Sequence, residues 1–87
     1  MTYVISYDSG SEITLEPNQK IADAMLVDGK IYVLFTDDPS APKYERTYRI
    51  KLHDEYQCLE NWTPISLTRH YNKIAYIAIQ EVIEKGE

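Results

Sequence analysis

The sequence predicts a mainly β protein, a small antiparallel barrel or sandwich of six to seven short strands. Two observations lead to this fold class. Apolar and polar residues alternate along several short runs, and Gly, Asn, Asp or Pro residues separate those runs. An α+β variant stays open, because the C-terminal segment can be interpreted in two ways. At 87 residues the chain is expected to form a single domain, residues 1–87.

The N-terminal half predicts two hairpins. Tyr3–Tyr7 and Ile13–Leu15 alternate, and the loop between them contains Gly10, where a positive φ is expected. The second hairpin has the stronger signal: Ile21–Val27 and Ile31–Phe35 flank an Asp-Gly turn of type I′. Both faces of the run Ile31–Phe35 are apolar, which predicts a central strand.

A third alternating run follows at residues 46–53. It predicts a strand with an apolar face and a polar face, and the polar face contains Thr47, Arg49, Lys51 and His53. Residues 54–61 are predicted to form a loop or a short helical turn. Trp62 is expected to anchor the core at the start of the next strand, residues 65–71, which ends in a turn at residues 71–73.

The C-terminal segment fits either a strand or a helix. Ile74–Ile79 has high β propensity. Apolar side chains also recur at helical spacing, at Tyr71, Ile74, Ala75, Ala78, Ile79, Val82 and Ile83. We favour the strand, because a helix would place Tyr76 and Ile77 on its outer face.

Composition and charge limit the possible partners and the compartment. A net charge of −5 argues against binding to duplex DNA or to an anionic membrane. The lone Cys58 cannot form an internal disulfide, and no signal peptide or transmembrane run is recognised, so a cytoplasmic protein is expected. A chain this short buries a small core, which favours a homo-oligomer.

The sequence does not predict an enzyme. P-loop, G-x-S-x-G and G-x-G-x-x-G motifs are absent, and Cys58 has no basic sequence neighbour to activate it. His53 and His70 lack metal-binding spacing and are expected to face solvent. Asp37 and Asp38 precede Pro39, which is typical of a turn rather than of a metal site. Neither a metal nor a cofactor is expected.

One short basic segment lies in this acidic chain. Four cations occur at residues 43–53 against Glu45 alone, and arginine beside tyrosine suits a nucleotide. Cross-strand pairing of these cations with Glu12, Glu16 or Asp23 is the favoured alternative. The candidate ligand-binding residues are Lys43, Tyr44, Arg46, Tyr48, Arg49 and Lys51, with Arg69 and His70 as a possible extension.

The remaining candidate site is an acidic interaction surface. Residues 1–42 contain seven acids and two bases. Such a surface could occupy a basic, nucleic-acid-binding groove on a partner protein, since complementary charge favours rapid and selective association. The candidate residues are Asp8, Glu16, Asp37 and Asp38.

The order of these features resembles that of short β-rich accessory proteins of tailed phages and prophages. The resemblance rests on Pro17-Asn-Gln-Lys-Ile21, on the turn Gly29-Lys30 and on the Asp-Pro-Ser-Ala-Pro segment at residues 38–42, before a basic strand and an apolar terminal strand. It implies a non-enzymatic protein that binds and inhibits a host factor, with an anti-phage defence system as the leading target. An oligomeric sponge for an anionic nucleotide signal and a phage structural or assembly protein are the alternatives.

Overall fold

Seven antiparallel strands form a β-sandwich in the part of the chain that the structure describes, residues 1–54 and 60–82 of a computed structural model. A three-stranded sheet has the order β1-β4-β3, and a four-stranded sheet has the order β2-β5-β7-β6. The strands are β1 (Tyr3–Tyr7), β2 (Glu12–Leu15), β3 (Gln19–Val27), β4 (Lys30–Asp37), β5 (Arg46–Asp54), β6 (Thr63–His70) and β7 (Lys73–Glu81). The predicted fold class is therefore confirmed in its sandwich form.

The hairpin of β3 and β4 forms as the Asp-Gly signal predicts. Val27 pairs with Lys30 across a two-residue loop in which Asp28 and Gly29 both have positive φ, at 51° and 80°. Positive φ at both positions is the type I′ arrangement, whose twist matches that of the strands. β4 also lies between β1 and β3, so its predicted central position is confirmed.

The predicted hairpin of the first two strands is wrong. β1 pairs with β4, whereas β2 pairs with β5 in the other sheet. The connection at Asp8–Ser11 therefore crosses between the sheets, although Gly10 does adopt the expected positive φ of 94°. Gly10 N–H and Ser11 C=O then bond to the backbone of Ile50, at 2.8 and 2.9 Å. These bonds give hydrogen-bond partners to backbone groups of the connection that a hairpin would have paired differently.

The inner faces of the two sheets form one apolar core. Ile31, Val33 and Phe35 of β4 are fully buried, because alternate residues of a strand point to the same face. Tyr3 stacks on the Phe35 ring with centroids 5.2 Å apart, and Tyr7 meets it edge-on at 6.4 Å. Burial of the Tyr7 phenol, with a smaller repulsion from Tyr3, raises the pKa of Tyr7. From the four-stranded sheet the core receives Ile13, Leu15, Ile50 and Ile77.

The C-terminal segment is a strand rather than a helix over Lys73–Glu81. It lies between β5 and β6, so Ile77 and Ala78 are both buried even though they point to opposite faces. Burial on both faces is what gives this segment an apolar pattern that also fits a helix. Ile83, part of the helical alternative, and Cys58 lie outside the described residues.

Candidate functional site

The outer face of the three-stranded sheet carries an apolar surface. It consists of side chains that alternate with the core residues of β1, β3 and β4. The register places Val4 opposite Leu34 and Met25 opposite Tyr32, so these side chains lie side by side on the face that points away from the core. We call this set the outer apolar face: Val4, Met25, Val27, Tyr32 and Leu34.

The outer apolar face is open to solvent. Val4 and Met25 are 56% and 59% exposed, and Val27 and Tyr32 are also exposed. Together with Asp23 and Ala24 the face lines a shallow concavity of about 400 Å³. A contiguous apolar surface of this kind on a small protein is typical of a binding site, because a partner that covers it removes apolar area from water.

Charged groups at the edges of this sheet are mostly acidic. The strands and the turns adjoining them contain five acids, Asp8, Asp23, Asp28, Asp37 and Asp38, against Lys20 and Lys30, while the Met1 amino group and the Lys43 ammonium also bind at the Asp37 end. The Lys30 ammonium donates to the Asp8 carboxylate at 2.8 Å, and this hydrogen bond raises the pKa of Lys30. A partner for the outer apolar face would therefore meet an excess of negative charge around it.

The structure places the residues of the predicted basic segment in different environments. Arg46 is 9% exposed, and its guanidinium donates to backbone oxygens of Glu16 at 3.1 Å, Gln19 at 2.8 Å and Tyr44 at 3.3 Å. These bonds join β5 to the start of β3 and so connect the two sheets. Arg46 is thus a structural cation whose donors are directed inward rather than toward a ligand.

The neighbouring candidates are divided among loop, core and solvent. Lys43 donates to the side-chain oxygen of Asn18 at 2.7 Å and to the carbonyl of Pro39, which secures the loop before β5. Tyr48 packs against the core. Tyr44 and Lys51 are exposed.

Arg49 makes one of the cross-strand pairs that the sequence suggested as an alternative. It lies opposite Glu12 in the register, and its Nη2 donates to Glu12 Oε2 at 3.1 Å. Arg69 lies opposite Ile74 of β7, whereas Arg49 lies opposite Gln80. Six residues of a strand span about 20 Å, so the two arginines are too far apart to bind one phosphate.

Arg69 and His70 line a separate groove of about 320 Å³ with Asp28 and Tyr71. The His70 ring contacts the Tyr71 ring, with centroids 4.3 Å apart, and His70 is half-buried rather than solvent-facing as predicted. Tyr71 itself is exposed and has a φ of 52°, which is unusual for a bulky residue. The groove lies between the turns of two hairpins.

The prediction that His53 faces solvent is wrong. His53 is only 5% exposed, because its ring stacks on Tyr76 at 5.3 Å and meets the Trp62 ring edge-on at 4.7 Å. Register places His53 directly opposite Tyr76 on the outer face of the four-stranded sheet. Trp62 therefore contacts His53 on this outer face and is not among the residues packed against the central core, so the prediction that Trp62 anchors the core is wrong.

The four acidic candidates do not form a single patch. Asp8 bonds to Lys30 at one end of β4, while Asp37 ends that strand and contacts the amino group of Met1. Seven residues of strand separate the two positions, or about 23 Å. Asp38 accepts hydrogen bonds from the hydroxyl and N–H of Ser40, which lower the pKa of Asp38. Glu16 is exposed near the Asp37 end.

Sequence reasoning missed two features of this molecule. The outer apolar face was missed because the apolar residues Tyr32 and Leu34 were interpreted only as a sign that the strand is central. The buried Gln19 was also missed; its amide accepts from Glu16 N–H at 2.9 Å and donates to the Tyr3 hydroxyl at 2.7 Å. The sequence did contain an indication of this face, because the outward positions of β4 between Ile31 and Phe35 are the large side chains Tyr32 and Leu34.

Residues 1–54 and 60–82 contain no cluster of three or more histidine, cysteine or acidic side chains that could hold a metal ion. No helix in these ranges is long and apolar enough to span a bilayer. Comparisons of the chain with protein-family models, with curated proteins and with solved structures find no match.

Proposed function

We propose that this protein is a non-enzymatic accessory protein that inhibits a host factor by direct protein–protein contact through the outer apolar face. The observation that supports the proposal is the exposure of Val4, Met25 and Tyr32 as neighbours on one sheet face. Of these side chains, Tyr32 is of a type that often supplies a large share of the binding energy in a protein interface when a partner desolvates it.

The acidic border of the face favours a partner with a basic surface. The three-stranded sheet and the turns adjoining it have five acids against Lys20, Lys30, the Met1 amino group and the Lys43 ammonium, in a chain of net charge −5, so a basic rim on the partner would be attracted. Proteins that handle nucleic acids carry such surfaces, because they must neutralise phosphates. A nucleic-acid-handling host protein, for example a component of an anti-phage defence system, is the partner class that we propose.

The assignment to phage accessory proteins rests on the resemblance described above. The Pro17–Ile21 segment enters β3, and Gly29-Lys30 ends the loop between β3 and β4 and begins β4. These are the two strands that carry most of the outer apolar face. The resemblance and the proposed surface therefore involve the same part of the chain.

The nucleotide-sponge alternative has weaker support. A sponge needs cations free to bind phosphate, whereas Arg46 donates to three backbone carbonyls and Arg49 pairs with Glu12. Lys51 and Arg69 remain as exposed cations on different strands. A role in phage assembly would use the same apolar face, but with another phage protein as the partner.

The proposal is tested by co-producing the chain with individual defence systems in bacteria and measuring phage plating efficiency. The wild-type chain is expected to restore plating against one system, and Met25→Asp is expected to lose at least about tenfold of that effect, because a charge at a buried interface position costs more than about 1.4 kcal/mol. Arg49→Ala is expected to behave like the wild type.

Leu67→Asp is the matched control, since Leu67 is 74% exposed on the four-stranded sheet and receives the same charge. Circular dichroism and thermal midpoints check that both variants fold. If Met25→Asp and Leu67→Asp reduce the restored plating efficiency equally, a role for the outer apolar face is contradicted. Loss with Arg49→Ala alone would favour the nucleotide sponge instead.

A further inference from the structure

The free edge of β1 differs from the other sheet edges in lacking any protection against strand pairing. The sandwich has four edge strands among its described residues: β1, β3, β2 and β6. Natural sheets usually protect edges with charges, prolines or bulges, because an open edge presents unpaired N–H and C=O groups.

Three of the edges show such protection. β3 has a bulge between Ile21 and Asp23, with the Asp23 charge at that point. β6 contains Pro64 together with a register shift between Pro64 and Ser66. β2 has only four residues and begins at the charged Glu12.

β1 has no charge, no proline and no bulge, and it is one residue longer than β2. Its sequence, Tyr-Val-Ile-Ser-Tyr, contains no charge and no proline, and its five residues pair with β4 without a register shift. Ile5 lies opposite Val33 and points toward the core, yet it is 42% exposed. No described strand lies beside it at the free edge of β1. Alternate backbone groups of β1 point away from β4, and no other described strand pairs with them.

We propose that a second copy of this chain pairs with the β1 edge, antiparallel about a two-fold axis at Ile5. The sequence of β1 is close to a palindrome, so this pairing places Ile5 opposite Ile5, Tyr3 opposite Tyr7 and Val4 opposite Ser6. A two-fold interface requires this kind of self-complementarity, in which one patch serves both partners. A neutral edge also suits self-pairing in a chain of net charge −5, because it brings no like charges together.

The pairing generates a six-stranded sheet of order β3-β4-β1-β1-β4-β3. The outer apolar faces of both copies then lie side by side on one surface, so Val4 of each copy would border the centre of that surface. The dimer does not depend on the proposed inhibitory function, since it uses backbone groups at the edge rather than side chains of the face.

Sedimentation equilibrium of the full chain tests the proposal. The expected species has twice the 10.1 kDa chain mass. Ile5→Lys places like charges opposite each other at the axis and should weaken dimerisation at least about tenfold. Leu67→Lys, on an exposed apolar residue of β6, is the matched control and should leave the dimer intact. A monomer at millimolar concentration, or equal effects of the two variants, would overturn the proposal.

Disulfide trapping in a Cys58→Ser background tests the register independently of folding effects. Ile5→Cys should oxidise readily to a dimer, because directly opposed residues have Cβ atoms about 4.5–5.5 Å apart. Val4→Cys should cross-link poorly, since the two copies of Val4 are diagonal neighbours at about 7–8 Å. Equal trapping at both positions, or none at Ile5, would overturn the assigned axis. This experiment measures dimer formation and not phage plating. The proposed dimer and the proposed inhibitory function can therefore fail independently of each other.

Discussion

Replacing Arg46 with alanine should destabilise the sandwich strongly, because this buried guanidinium connects the two sheets. It donates to the carbonyls of Glu16, Gln19 and Tyr44, at 3.1, 2.8 and 3.3 Å. At a net value of about 1 kcal/mol for each hydrogen bond, the loss is about 3 kcal/mol in the free energy of unfolding. For a domain of this size that corresponds to a fall of about 12–24 °C in Tm.

Arg46→Lys separates the geometry of the side chain from its charge. An ammonium group keeps the charge but cannot direct donors to three diverging carbonyls, so about 2 kcal/mol should still be lost. Arg49→Ala is the control: the Arg49–Glu12 pair is about half exposed, and such surface pairs contribute about 0.2–1 kcal/mol. Urea unfolding measures all three. Stability of Arg46→Lys within about 0.5 kcal/mol of the wild type would refute the reasoning.

Three further predictions concern the turns and the core. Ser40→Ala should raise the pKa of Asp38 toward its ordinary value of 3.8, because the hydrogen bond from the Ser40 hydroxyl that lowers this pKa is lost. The stability that this hydrogen bond confers is present above pH 3.8 and disappears as the pH falls through the lowered pKa. NMR titration of the Asp38 carboxyl group measures the change in pKa. Gly29→Ala meets no steric contact but should cost about 1–2 kcal/mol, because φ is 80° there; a loss below about 0.3 kcal/mol in urea unfolding would contradict this. Phe35→Ala should cost about 3–5 kcal/mol by the same measurement, because the ring is fully buried; a value under about 1 kcal/mol would contradict the packing described.

Local turn chemistry and alternation predicted the parts of the fold that depend on neighbours in sequence. The Asp28-Gly29 turn specified its hairpin because only a few backbone conformations join two strands in two residues. The apolar residues on both faces of the run Ile31–Phe35 also identified a central strand. Both signals are short-range, and the structure confirms both.

Long-range pairing was less accessible from the sequence. The residues around Gly10 are equally suited to a hairpin and to a crossing between sheets, so the pairing of β1 with β4 is decided by packing of Tyr3 and Tyr7 around Phe35. Alternation in the sequence likewise predicts which residues share a face of a strand, but not which residues pack against that face. His53 was therefore assigned to solvent, although Trp62 and Tyr76 enclose it.

The candidate sites illustrate the same limit. Arg46 belongs to a run of basic residues, and only the approach of β3 to β5 reveals that its donors are directed at backbone oxygens. Apolar residues on both faces of β4 were interpreted as the sign of a central strand, and the exposure of one of those faces was not predicted. The sequence thus identified the strand that carries the proposed surface and missed the surface itself.

Site-specific photo-cross-linking in bacterial cells that carry the defence system inhibited by this protein tests the central claim most directly. A photoreactive residue replaces Tyr32 on the outer apolar face or, as the control, Leu67 on the other sheet. We predict one discrete adduct with a host protein, heavier than two copies of this chain, from position 32 and none from position 67. Adducts from both positions alike, or only adducts between copies of the chain, would contradict the assignment of the outer apolar face as the surface that binds the host factor.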